Sequence, residues 1–176
     1  MRHRFGFYFW LILILILIAA IFQASNTPYQ QQNIQPFLRS HFDWNANTLP
    51  HVSFLYDGTL VTTQDPYAFI EFVIRKMSHV TEYAVLTFLF VNLLLSTRLM
   101  RRTAVFFGLL LPFLYACIDE FHQRFIPGRT GHLIDVITFD LAGMVIGLVI
   151  ALIFRCIFLV LFSSNNNVSK PRNIKK

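Results

Sequence analysis

Two short segments hold the side chains with which this sequence could do chemistry. The first, Lys76-x-x-His79-x-x-Glu82-Tyr83, spaces an amine, an imidazole, a carboxylate and a phenol by three, three and one residues. At about 100° per residue these four fall within an arc of about 120°, so on a helix they share one face. The second, Asp119-Glu120-x-His122-Gln123-Arg124, puts two adjacent carboxylates at the end of an apolar stretch, with Arg129, Asp135 and Asp140 following. Carboxylates there meet the negative end of the helix dipole and require a compensating cation, for which Lys76, Arg124 and Arg129 are available. His79 and Glu82 suit proton exchange, with Asp119 and Glu120 as further candidate catalytic acids. Lys76 and Arg129 suit a phosphate or carboxylate clamp, and Tyr83, Gln123 and Asp135 complete the candidate substrate contacts. No Ser or Cys nucleophile stands beside a base, although Ser78 adjoins His79.

The elements that must position these groups are apolar. Of 176 residues, 55% are hydrophobic and only 14% charged, too apolar for one soluble core of this size. A disordered chain and a disulfide scaffold are excluded with it. The fold class that remains is an all-α membrane protein with four transmembrane helices. The first span, Phe5 to Phe22, is an N-terminal anchor (1–22) whose basic start resembles a signal peptide but whose apolar run is longer. Three further spans, Phe69–Leu95, Ala104–Phe121 with a kink expected at Pro112, and Leu133–Phe154, make a membrane core over 69–162. Arg155 is placed to snorkel to the headgroups, with Cys156 to Phe162 near the interface. Ser163 to Ser169 reads as disordered, and 163–176 as a basic tail. Gly143 and Gly147, four apart, allow close helix approach.

With the N-terminus inside, ten Lys and Arg fall on the inner side and five on the outer, while all nine acids lie outside or in the outer half of a span. Both termini are therefore expected in the cytoplasm of a multi-pass cell-membrane protein. The net charge of +6 then suits anionic lipid, and nucleic acid is not needed to explain it. Residues 23–68 form the one sizeable outer loop. Within it Asp57-Gly58, between Val52–Tyr56 and Thr59–Thr62, predicts a small extracytoplasmic β-hairpin near 53–62. The start of the loop, Gln30 to Asn33, is polar with no pattern. Cys117 and Cys156 sit at opposite depths and cannot pair. Trp10, Trp44, Tyr8 and Tyr56 suit interfacial anchoring.

The ordered motifs from Arg75 to Ala84 and from Asp119 to Gly131 resemble the VanZ-like family, whose pattern is Lys-x-x-His-x-x-Glu-Tyr, then Asp-Glu-x-x-Gln-x-Phe-x-Pro-Gly-Arg, then an Asp and a Gly-x-x-x-Gly. The likeness spans roughly residues 53 to 150. It implies that Lys76, His79, Glu82, Tyr83, Asp119, Glu120, Gln123, Pro127, Gly128, Arg129, Asp135 and Gly143 occupy family positions. The interval from Asp135 to Asp140 is one residue longer than the family's acid-to-acid spacing, so Asp140 receives no role by resemblance. The resemblance also implies a cell-envelope setting, its founding member being associated with low-level teicoplanin resistance, and it supplies no reaction.

Four readings of the polar cluster follow. It is an ion-pair network fixing helices in register; a binding or shielding pocket for a lipid or lipoglycopeptide; or a membrane-embedded enzyme acting on a lipid-linked envelope precursor. A metal site built from His79, Glu82, Asp119, Glu120, His122 and Asp135 is the fourth, but the spacing fits neither zinc-protease nor di-iron patterns, so no metal or cofactor is expected. The binding reading requires no nucleophile and is preferred. An ion path is disfavoured, since only Thr87 and Asn92 continue the polar line below Glu82.

Overall fold

A computed structural model describes residues 2–168. In chain order the elements are α1 (Arg2–Ser25), the short helices α2 (Tyr29–Gln32) and α3 (Gln35–His41), strands β1 (Ser53–Tyr56) and β2 (Thr59–Thr62), α4 (Pro66–Leu95), α5 (Arg101–Gln123), α6 (Leu133–Asp135), a π-turn (Val136–Asp140) and α7 (Leu141–Val168). Among the described residues four helices are long and apolar enough to cross a membrane, the last running from α6 through the π-turn into α7. The chain is a multi-pass membrane protein carrying one two-stranded antiparallel hairpin.

The helical ends differ from expectation in ways the local chemistry explains. The Asp65 carboxylate caps α4 by accepting from the backbone N–H groups of Tyr67 and Ala68, so α4 starts at Pro66 rather than near Phe69. Helix α5 continues through Pro112 from Arg101 to Gln123. Helix α7 extends to Val168, through most of the stretch read as disordered, while Lys170 to Lys176 lie outside the described residues. Arg155 does not snorkel. Its guanidinium donates to Asn92 Oδ1 at 2.8 Å, to Asn92 O at 2.6 Å and to Ser96 Oγ at 2.8 Å, closing the end of α4.

Packing between apolar helices in lipid gains little from the hydrophobic effect, so close contact must supply the attraction. The tightest seam joins α4 to α7. A Cβ on Gly143 would lie 2.3 Å from Val80 O, and one on Gly147 2.1 Å from Ala84 O, so only glycine lets the two backbones meet. Around this seam Tyr83, Leu86, Leu89, Leu93, Ala116, Val136 and Met144 make the core, completed by Ile14 and Ile21 of α1. The opposite faces expose large apolar side chains such as Ile12, Ile118 and Leu159, as a lipid-facing surface requires.

The hairpin forms as its Asp-Gly turn predicts. Tyr56 pairs with Thr59, and Asp57 and Gly58 both take positive φ, 46° and 77°. The polar start of the loop, which has no sequence pattern, folds into α2 and α3. Tyr29 Oη, Ile34 N–H and Gln35 Nε2 all donate to the buried Glu71 carboxylate of α4, which anchors this part of the loop.

Candidate functional site

Lys76 and His79 stand one helical turn apart on α4 and face the start of the last span, where each meets one aspartate. Lys76 Nζ donates to both oxygens of Asp135 at 2.6 and 2.8 Å, and His79 Nδ1 lies 3.0 Å from Asp140 Oδ1. In a regular α-helix residues five apart diverge by about 140°, so Asp135 and Asp140 could not both face α4. The π-turn removes the conflict. The Leu141 N–H reaches back five residues to Val136 O, and this wider turn carries the additional residue and stacks positions i and i+5. The long acid-to-acid interval in the sequence is therefore the device that aligns two acids with two bases.

The hairpin closes over the first pair. Tyr56 Oη donates to Asp135 Oδ1, and the Lys76 ammonium lies 4.6 Å from the Tyr56 ring centre and 5.3 Å from that of Phe72. Burial, reinforced by the bond to Asp135, pushes the Tyr56 phenol above its ordinary range and keeps it a donor. Tyr56, expected only as an interfacial anchor, thus also bonds Asp135 of the candidate site. At the hairpin tip Asp57 contacts His132 Nδ1.

Deeper, His79 joins two carboxylates. Its Nδ1 lies 3.8 Å from Glu120 Oε1 as well as 3.0 Å from Asp140 Oδ1. Glu120 and Asp140 are 1% and 0% exposed. The His132 N–H donates to Glu120 Oε2 at 2.7 Å, whereas Glu120 Oε1, Asp140 Oδ2 and the Tyr83 hydroxyl are buried without a hydrogen-bond partner. Tyr83 is fully buried and stacks beside the His79 ring.

A second network runs from α5 into the loop. Gln123 Nε2 donates to Asp119 Oδ2 at 2.9 Å and Gln123 Oε1 accepts from Arg129 Nη1 at 3.1 Å. The turn Ile126–Arg129 has Pro127 and Gly128 at its centre, Gly128 at φ 73°, closed by Arg129 N–H to Ile126 O at 3.1 Å. It swings Arg129 back over the bundle, where the guanidinium also donates to Ala24 O, Thr27 O and Gln32 Oε1. Burial, with repulsion from Arg75, draws the Arg129 pKa down, but a guanidinium remains charged.

Two cavities, of about 320 and 280 Å³, meet at Arg75, His79 and Gln123. The first lies under the hairpin between Tyr56, Lys76 and Asp135; the second reaches past Arg129 and Ser25 to Glu82, Ser78 and Ile74. From there a groove lined by Val73, Met77 and Thr81 continues along the exposed face of α4. Of the expected site residues, Lys76, His79, Glu82, Gln123, Arg129 and Asp135 line the cavities; Tyr83, Asp119 and Glu120 stand behind the wall.

Both cations expected as anion clamps are engaged by the protein: Lys76 by Asp135, and Arg129 by carbonyl oxygens and glutamine side chains. Arg75 is different. It lines both cavities, its guanidinium sits 5.2 Å from the Tyr29 ring centre, and among the described residues no protein acceptor takes its N–H donors. Sequence reading passed over Arg75, since it lies outside the spaced motif, and gave Asp140 no role, since its interval from Asp135 is one residue longer than the family's spacing. Glu71 and Gln32 carried no signal beyond being polar.

A family model described as VanZ/LLP1 matches residues 7–155. The match is wider than the motif-bearing stretch and takes in most of α1 and the whole loop. No curated protein and no solved structure matches the chain.

Proposed function

The chain belongs to the VanZ/LLP1 family, and from that premise we propose that it binds the anionic head group of an outer-leaflet amphiphile in the double cavity beneath the hairpin. The observation that carries the reading is Arg75. A guanidinium with unspent donors, repelled by Arg129 across a shared cavity, calls for an anion between them. The groove along α4 supplies a lateral exit for an acyl chain, as a lipid or lipoglycopeptide needs. In this reading Lys76, Asp135 and Tyr56 build the lid, Gln123 and Arg129 shape the floor, and Tyr83 and Asp119 brace the wall. The hairpin faces outward and both termini face the cytoplasm, following the charge bias of the loops. The cellular role that fits is envelope shielding: occupancy of the pocket alters access of glycopeptides such as teicoplanin to their target.

A second reading is favoured by one contact. The His79–Asp140 contact orients the imidazole through Nδ1, and His79 lines the second cavity with Glu82, an arrangement that suits acid–base chemistry on a lipid-linked envelope precursor.

The test is retention of phosphatidylglycerol by the full-length protein purified in detergent, measured by mass spectrometry for wild type and Arg75→Ala. Charge-assisted bonds to phosphate contribute about 1.5–3 kcal/mol, so retention should fall roughly ten- to hundredfold. Equal retention by both proteins overturns the proposal. Turnover of a bound lipid that Glu82→Gln abolishes would select the second reading.

A further inference from the structure

We infer that His79, Glu120 and Asp140 hold a divalent transition-metal ion, Zn²⁺ or Mn²⁺, which ties α4, α5 and the π-turn together behind the cavity wall. One ligand atom from each of the three lies within 4.8 Å of the others. The His79 Nδ1 distances, 3.0 Å to Asp140 Oδ1 and 3.8 Å to Glu120 Oε1, bracket the separation of about 3.4 Å between donor atoms bound tetrahedrally at about 2.1 Å.

Charge balance points the same way. Two carboxylates, each no more than 1% exposed, face one imidazole. Lys76 is committed to Asp135, and Arg129 to the loop and Gln123. Buried charges are paired or bind metals, and here each carboxylate keeps one oxygen with no hydrogen-bond partner among the described residues, Glu120 Oε1 and Asp140 Oδ2. The His132 N–H bond to Glu120 Oε2 holds that carboxylate in place, the part an outer-shell donor plays around a metal. One nitrogen and two carboxylate oxygens, with no thiolate, suit Zn²⁺ or Mn²⁺ better than Cu(I), and better than the all-oxygen preference of Ca²⁺ or Mg²⁺.

The motif spacing did not disclose this set, because on a regular helix Asp140 points about 140° away from Asp135, which faces the same side of α4 here only through the π-turn. The inference is independent of the lipid reading: the ion sits behind the wall, and its loss would be read in metal content rather than in lipid retention.

The experiment uses full-length protein purified in detergent through a tag that binds no metal. Metal content is measured by plasma mass spectrometry before and after loading with Zn²⁺ or Mn²⁺, and thermal unfolding is followed with and without chelator. About one ion per chain is expected, with a lower unfolding midpoint after chelation that returns on reloading. The isosteric variants Glu120→Gln and Asp140→Asn should lose the ion, while Asp43→Asn in the exposed loop keeps it. Wild type that takes up neither ion and shows no shift on chelation overturns the inference. So does metal retained by both isosteric variants. Should those variants fail to fold, chelation and reloading of wild type alone decide the question.

Discussion

Two polar clusters sit at opposite ends of the same α4–α7 seam and obey different rules. At the end near Ser96, Arg155 donates to Asn92 Oδ1, Asn92 O and Ser96 Oγ, and no polar atom of that knot is buried without a partner. At the hairpin end, Lys76 and Asp135 are satisfied, but Glu120 Oε1, Asp140 Oδ2 and the Tyr83 hydroxyl are not, and Arg75 faces two cavities with its donors unspent. A knot that only fixes register needs few groups and satisfies them all. A cluster that keeps open valences at a cavity has a cost in stability that register alone does not justify. The contrast separates a lock from a site within one helix pair.

The sharpest way to break the contrast is to delete Ile137, a residue 63% exposed. Removing one residue converts the π-turn to regular α-helix and turns Asp135 about 100° away from Lys76 while leaving Asp140 and α7 in register. An unpaired buried ammonium costs about 3–5 kcal/mol, so the unfolding midpoint in detergent should fall steeply and the hairpin should open to protease. An unchanged midpoint would mean that the π-turn does not seat Asp135, and the argument for aligned acids would fail.

Next in size is Arg155→Ala. It removes three charge-assisted bonds and leaves the Asn92 side chain buried in the core, for a loss of about 3 kcal/mol. Because this knot is a lock, surviving folded protein should retain phosphatidylglycerol as wild type does. Stability and binding falling together would erase the distinction between the two ends.

The difference between the clusters also explains what the sequence disclosed. Lys76, His79 and Glu82 declare a common face by spacing alone, and Asp57-Gly58 declares its turn, because both depend on local geometry. Gly143 and Gly147 likewise announce a close seam. Asp140 is illegible, since five residues on a regular helix place it about 140° from Asp135 and only a π-turn brings it back. The anchoring of the loop on Glu71 and the capture of Arg129 by Ala24, Thr27 and Gln32 join residues 36 to 105 positions apart. No periodicity records such pairings, and a glutamine-rich run with no apolar stripe gives no sign that it folds. Arg155 misled for a related reason: snorkelling is the default for a cation at a span end, and the partner that overrides it lies 63 residues away.

The smallest predicted effect tests whether the hairpin belongs to the site or merely lies on it. Tyr56→Phe keeps the ring against Lys76 and removes only the hydroxyl that donates to Asp135. Asp135 retains both bonds from Lys76, so no charge is orphaned and the global loss should be about 1 kcal/mol. The local consequence should exceed the global one. β1 and β2 are an isolated two-stranded ribbon, marginal by itself, and besides its flanking chain it is held to the bundle through Tyr56, Phe72 and the Asp57–His132 contact. Amide exchange across Ser53–Thr62 should therefore accelerate severalfold in the variant while exchange in α4 and α7 is unchanged. Equal acceleration in both would make the hydroxyl part of the core, whereas none in either would leave the hairpin held by ring packing and the tip contact alone.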